Sequence, residues 1–141
     1  MFYFFQSLEK NHTLFYLCKK NMTEKREFGN EGEAYARDYL LKQGYSILET
    51  NWQCGHLEVD VIAEKDGILV FVEVKTRTDT AVSEPQAAVN RQKQQNIIRA
   101  ANAYILRNNF NCEARFDIIT VVGKGAASVV EHLPDAYSPR W

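Results

Sequence analysis

Cysteine, proline and histidine are scarce in this chain of 141 residues, with three of each. Cys18, Cys54 and Cys112 are an odd number without paired spacing, which excludes a disulfide-stapled scaffold and reads as reduced thiols in a cytoplasmic protein. His12, His56 and His132 have no metal-ligand spacing either. No run approaches the roughly 18 consecutive apolar residues of a membrane-spanning helix, so no membrane partner is expected. The aromatic start MFYFFQSLEK lacks a basic leader and is broken by Glu9, Lys10, Asn11 and His12, unlike a secretory signal. Neither sign of charge dominates: 17 Lys and Arg against 18 Asp and Glu leave a net charge of −1, which does not advertise a nucleic-acid partner. Repeats and low-complexity tracts are absent.

What is present is enough apolar material, 45% of residues, for one globular domain with its own core. Residues 22–141 read as that domain. Residues 1–21 read either as a loosely attached N-terminal extension or as a wrongly assigned start, because MTEKREFGNEGE from Met22 has the look of a natural beginning.

The most informative stretch runs from His56 to Arg77: HLEVDVIAEK, the pair Asp66-Gly67, then ILVFVEVKTR. Two β-rich runs around Asp-Gly predict a hairpin with a type I′ turn. With Lys65 opposite Ile68, the register places Asp60 opposite Glu73 and Glu58 opposite Lys75. A Glu58–Lys75 pair is an ordinary cross-strand salt bridge. Asp60 against Glu73 is not, since like charges directly opposed are destabilising, and an external cation would relieve them. Val70, Val72 and Val74 on one side of the second run and Leu69 and Phe71 on the other mark a strand covered on both faces.

Taken in order, Asn30 to Gln43 predicts a first helix stopped by Gly44. Glu33 shares its buried side with Ala36 and Leu40 and reads either as a third acidic ligand or as a complement to the helix dipole. Tyr45 to Trp52 is a strand candidate that alternates imperfectly. The polar TRTDTAVS segment is a loop ending at Ser83, an N-cap ahead of Glu84 and Pro85. Gln94, Ile97, Ile98, Ala101, Tyr104 and Ile105 give a helical stripe over about Arg91 to Arg107. Gln94 heads that stripe with Lys93 beside it, either a helix end meeting water or a reach toward the acidic patch. Lys75, Arg77, Arg91, Lys93, Arg99 and Arg107 face only Asp79 and Glu84 over this region, a local basic excess. Arg115 to Val122 predicts a strand parallel to the 68–76 strand by the crossover rule, with Asp117 read as a buried carboxylate paired to Arg115 or to a base on the helix in preference to a ligand. Ser128 to His132 predicts a last strand, and Leu133 to Trp141 a tail.

The order helix, three strands, helix, strand, with Asp60 on the second strand and Glu73, Val74, Lys75 on the third, resembles the restriction-endonuclease-like PD-(D/E)XK superfamily. The segments GNEGEAYARDYLLKQGY, LEVDVIA, FVEVKTR, RQKQQNIIRAA and RFDIITVV more closely resemble the YraN family, uncharacterised bacterial proteins similar to archaeal Holliday junction resolvases. The resemblance implies an α/β fold with an αβββαβ core, a mixed sheet flanked by helices. It implies a Mg²⁺- or Mn²⁺-dependent endonuclease acting on structured or branched DNA, such as a four-way junction or flap, and a homodimer. Asp60, Glu73, Lys75 and Glu33 become the catalytic set, with Asp60, Glu73 and Glu33 as metal ligands. Arg77, Lys93, Gln94 and Arg99 become the nucleic-acid contacts, Lys93-Gln94 matching a Lys-Gln pair typical of the family. One departure is Leu57 directly before Glu58, where the family usually carries Gly; here Gly55 lies earlier. The alternative is a non-catalytic nucleic-acid or protein-binding module on the same fold, and a third reading makes the charges purely structural. Mass spectrometry of the native protein checks the domain start: an N-terminal peptide at Met22 is expected, and one containing Phe2 to Phe5 overturns it.

Overall fold

The computed structural model describes residues 31–77 and 89–139. Its elements are α1 (Glu31–Lys42), β1 (Ser46–Cys54), β2 (Leu57–Lys65), β3 (Ile68–Arg77), α2 (Arg91–Arg107), β4 (Ala114–Val122), a 3₁₀ turn (Gly125–Ala127) and β5 (Val129–Tyr137). The expected start at Met22, the Ser83 cap and most of the TRTDTAVS loop lie outside the described residues.

Each boundary has a local cause. Gly44 takes φ 87° just past α1, and its N–H closes the last turn onto Leu41 O at 3.1 Å. Asn90 caps α2 by accepting the Lys93 N–H at 2.9 Å. Asp66 and Gly67 both take positive φ, 53° and 78°, as a type I′ turn requires.

The five strands form one sheet in the order β1-β2-β3-β4-β5. Only β3 and β4 pair in parallel, with α2 connecting them, and the other pairs are antiparallel, so the sheet is mixed and the class is α/β. Central β3 is covered on both faces. Leu69 and Phe71 join Ile97, Tyr104, Phe116 and Ile118 on the α2 side. Val70 and Val72 join Ala36, Leu40, Val61 and Ile119 on the α1 side. Phe71 stacks on Phe116 at 5.7 Å and Phe116 on Tyr137 at 5.4 Å, an aromatic row across three strands.

Two expectations are corrected. The last strand does not stop at His132 but continues to Tyr137, which pairs with Phe116. β5 is an edge strand, where Pro134 forfeits no ladder bond, and Asp135 at φ 50° absorbs the register shift opposite Phe116 and Ile118. In the hairpin, the expected register holds from Lys65–Ile68 to Val61–Val72 and the ladder ends there. Asp60 and Glu73 are therefore not backbone partners, and neither are Glu58 and Lys75. The Val74 N–H instead donates to Asp60 Oδ2 at 2.8 Å, so a side chain fills the fork between the diverging strands.

Asp117 is the buried paired carboxylate that the sequence suggests, with more partners than expected. It accepts Arg115 Nε at 2.8 Å and Nη2 at 2.7 Å, meets His132 Nε2 at 2.7 Å, and accepts the Asp135 N–H at 3.0 Å. Arg115 also donates to the Tyr45 hydroxyl at 2.6 Å, and His132 Nδ1 lies 3.3 Å from the Tyr39 hydroxyl. This cluster ties α1, the start of β1, β4 and β5 together.

Burial alone would push the Asp117 carboxyl up; the His132 and Arg115 hydrogen bonds and the Asp135 N–H outweigh it and hold it below the ordinary carboxylate range. Asp117 therefore contributes stability above the unfolded carboxylate pKa that is lost as pH falls through the folded one. Asp117→Asn is expected to cost about 2–3 kcal/mol at neutral pH and to remove part of the acid-induced fall in melting temperature below about pH 4. Thermal unfolding across pH checks it, and an unchanged acid limb would sink the assignment.

Candidate functional site

The fork between β2 and β3 gathers the acidic pair. Glu73 follows Leu69 and Phe71 onto the α2 side of β3, and its side chain is 4% exposed. Its Oε1 meets two ammonium groups at the rim, Lys75 Nζ at 3.6 Å and Lys93 Nζ at 3.5 Å. Its Oε2 is buried with no hydrogen-bond partner among the described residues. A buried carboxylate oxygen left without a donor is costly, and it sits where a cation would be satisfied.

Asp60 lies against it. Burial and then the Glu73 charge push the Asp60 carboxyl up to about 7, against the lowering effect of the Val74 N–H and Lys93. One proton on the pair relieves the like-charge repulsion near neutral pH. Two hard oxygen donors in a partly enclosed fork fit Mg²⁺ or Mn²⁺, and the orphaned Glu73 oxygen is the observation that makes the fit.

Glu33 approaches from α1. Its Oε2 accepts Asn51 Nδ2 at 3.1 Å. Among the described residues no three His, Cys, Asp or Glu side chains converge on one point, so Glu33 stands off from the Asp60–Glu73 pair.

The proposed nucleic-acid contacts are spread more widely. Lys93 is in the centre, paired with Glu73. Gln94 donates its Nε2 to Val89 O at 2.9 Å, which holds the start of α2 in place. Arg99 is exposed farther along α2, and Arg77 ends β3, its carbonyl accepting the Gly123 N–H at 2.8 Å.

Two hydroxyls that sequence reasoning did not single out lie near this region. Thr120 partners Lys75 in the β3–β4 register. Burial, and then the Glu73, Asp117 and Asp60 charges, push the Tyr137 phenol up. The oxygens of both are buried with no hydrogen-bond partner among the described residues. Their signal was tertiary, since Tyr137 belongs to a segment that reads as a tail. Cys112 is chemically quiet: burial raises its thiol to about 12, well above the range of a reactive thiolate.

Among the described residues, no helix is long and apolar enough to cross a membrane. The profile of the uncharacterised protein family UPF0102 matches residues 32–121. A UPF0102 protein of Parabacteroides distasonis is 41% identical over 116 residues, 82% of this chain and 96% of the relative. One of Phocaeicola vulgatus is 43% identical over 121 residues, 85% of this chain and 100% of the relative. A third, from Bacteroides fragilis, is 44% identical over 118 residues, 84% of this chain and 98% of the relative.

The raised Asp60 carboxyl has a sign that can be measured. A carboxyl lifted above its unfolded value contributes stability that is full below the unfolded pKa and is lost as pH rises through about 7. Asn at this position keeps an acceptor for the Val74 N–H and offers a donor to Glu73. Asp60→Asn without added cation should therefore melt several degrees above wild type at about pH 8 and close to it at about pH 4. Parallel curves across that range would contradict the buried like-charge pair.

Proposed function

The chain belongs to the uncharacterised protein family UPF0102, the YraN family, and on that premise we propose that it is a Mg²⁺- or Mn²⁺-dependent endonuclease acting on structured or branched DNA. The observation that carries this reading is the Asp60–Glu73 pair in the β2–β3 fork, with one buried carboxylate oxygen unsatisfied and two lysines at the rim. The element order α1-β1-β2-β3-α2-β4 supports it by likeness to restriction-endonuclease-like nucleases. That likeness bears on fold, and the chemistry rests on the site.

Asp60 and Glu73 would hold the cation, which supplies polarisation of the scissile phosphate and a lowered pKa for a bound water. Lys75 is long enough to leave Glu73 for that water or for a phosphate oxygen, where its charge stabilises the pentavalent transition state. Glu33 would complete the shell from the α1 side, directly or through a water. Lys93, Arg99 and Arg77 position the DNA backbone, with Gln94 bracing the helix that carries two of them; such contacts favour shape over sequence. A homodimer would place two such sites on the two strands of a branched substrate.

A second reading, a binding module without turnover, draws on one observation. Lys75 and Lys93 already balance the acidic pair, so the site is electrostatically tolerable without a cation. Labelled four-way junction, flap, duplex and single-stranded DNA, incubated with the protein and Mg²⁺ or Mn²⁺, separate the two. Cleavage is expected for branched substrates and should vanish in Asp60→Ala. Lys75→Ala should cut at least about 100-fold more slowly yet still bind Mn²⁺. Junction binding with no cleavage under any condition would favour the binding module.

A further inference from the structure

Asn51 stands where three features meet. Its backbone is left-handed, φ 49°, within β1, a conformation that Asn tolerates and β-branched strand residues do not. It lies between the ladder partners Thr50–Val61 and Trp52–Val59, the place that Asp60 occupies on β2. Its side-chain amide donates to the Glu33 carboxylate at 3.1 Å.

The backbone turn has a visible effect. Strict alternation would put Val59 on the same face as Val61, yet Val61 packs on the α1 side while Val59 and Trp52 pack on the α2 side. The β1–β2 ribbon therefore rolls over at Asn51 and Asp60, just where β2 leaves β3. The amide uses this roll to span from the sheet to α1. The left-handed backbone accounts for Asn or Gly at this position, and the bond to Glu33 is what Gly could not make. A donor that reaches Glu33 from the strand position opposite Asp60 points to a second role.

We propose that Asn51 is a positioning residue that fixes the Glu33 carboxylate next to the strand position of Asp60, so that a cation at the Asp60–Glu73 fork is faced by a further carboxylate from the α1 side. This rests on the cation site proposed above. The amide is an uncharged donor: it fixes the carboxylate without neutralising it, whereas Lys or Arg in its place would compete with the cation. The spacing suits an outer role, since Glu33 stands apart from the acidic pair and would reach a bound cation through one of its waters. Such outer partners are commonly worth about tenfold or more in metal affinity.

The test is Mn²⁺ affinity of the full chain by calorimetry, with the Mn²⁺ electron paramagnetic resonance signal as a second readout and thermal unfolding as a check on the fold. Asn51→Gly keeps the left-handed backbone and deletes the amide. Asn51→Ala also deletes the amide and adds no charge, which preserves the test if the glycine variant folds poorly. Glu33→Gln removes the charge that the amide holds. Each is expected to weaken Mn²⁺ binding about tenfold, and Asn51→Gly combined with Glu33→Gln should weaken it no further than either alone, since both act through one carboxylate. Unchanged affinity in the folded Asn51 variants, with Glu33→Gln weakened, would overturn the proposal and leave the cation site standing. Additive losses in the double variant would overturn it too. A wild-type protein that binds no Mn²⁺ would overturn the cation site and this inference together.

Discussion

Two carboxyls of like charge, Asp60 and Glu73, are forced together where the β2–β3 ladder stops. A hairpin continued to its ends would have set them opposite each other as ladder partners and gained only repulsion. Divergence at this point lets Asp60 take the Val74 N–H that the ladder abandons. The unsatisfied strand edge and the misplaced charge thus solve part of each other's problem. What is left is the second Glu73 oxygen, which no other donor among the described residues reaches and which relies on a proton shared with Asp60, and that dependence is the chemical signature of the site.

Such a site is kept in place only if the strands carrying it cannot relax. β3 is apolar on both faces and clamped between two clusters, with Phe71 in the aromatic row on one side and Val70 and Val72 against α1 on the other. The Asp117 cluster does comparable work on the α1 face by joining α1, β4 and β5 through charged hydrogen bonds that water reaches poorly. It uses one acid, one guanidinium and one imidazole, all mutually satisfied. The fork pairs two ammoniums with one Glu73 oxygen and leaves the other without a protein donor among the described residues. The contrast between a satisfied and an unsatisfied buried polar group separates scaffold from site in this fold.

Helix α2 links the two requirements. Its stripe of Ile97, Ala101, Tyr104 and Ile105 packs the core, while its first turn brings Lys93 to Glu73. Gln94, at the head of that stripe, is spent on the Val89 carbonyl and so fixes where Lys93 emerges. Arg99, farther along, is exposed to solvent.

Local chemistry determined much of this from the chain alone: the Asp66-Gly67 turn and the register it imposes, the apolar cover of β3, the α2 stripe, the parallel crossover into β4, and the pairing of Asp117 with Arg115. Each follows from interactions between residues near in sequence or from a periodicity that only one element satisfies. The extent of β5 was not legible, because Leu133 to Tyr137 pairs through partners on β4 and through the stacking of Tyr137 on Phe116, neither of which its own composition signals. The end of the β2–β3 ladder, the orphaned Glu73 oxygen, the burial of Thr120 and Tyr137 hydroxyls, and the reach of Asn51 to Glu33 were decided only by tertiary structure. Register can be counted along a strand, but where a ladder yields depends on twist, on the neighbouring helices and on which buried polar groups find partners, and those are properties of the packed whole.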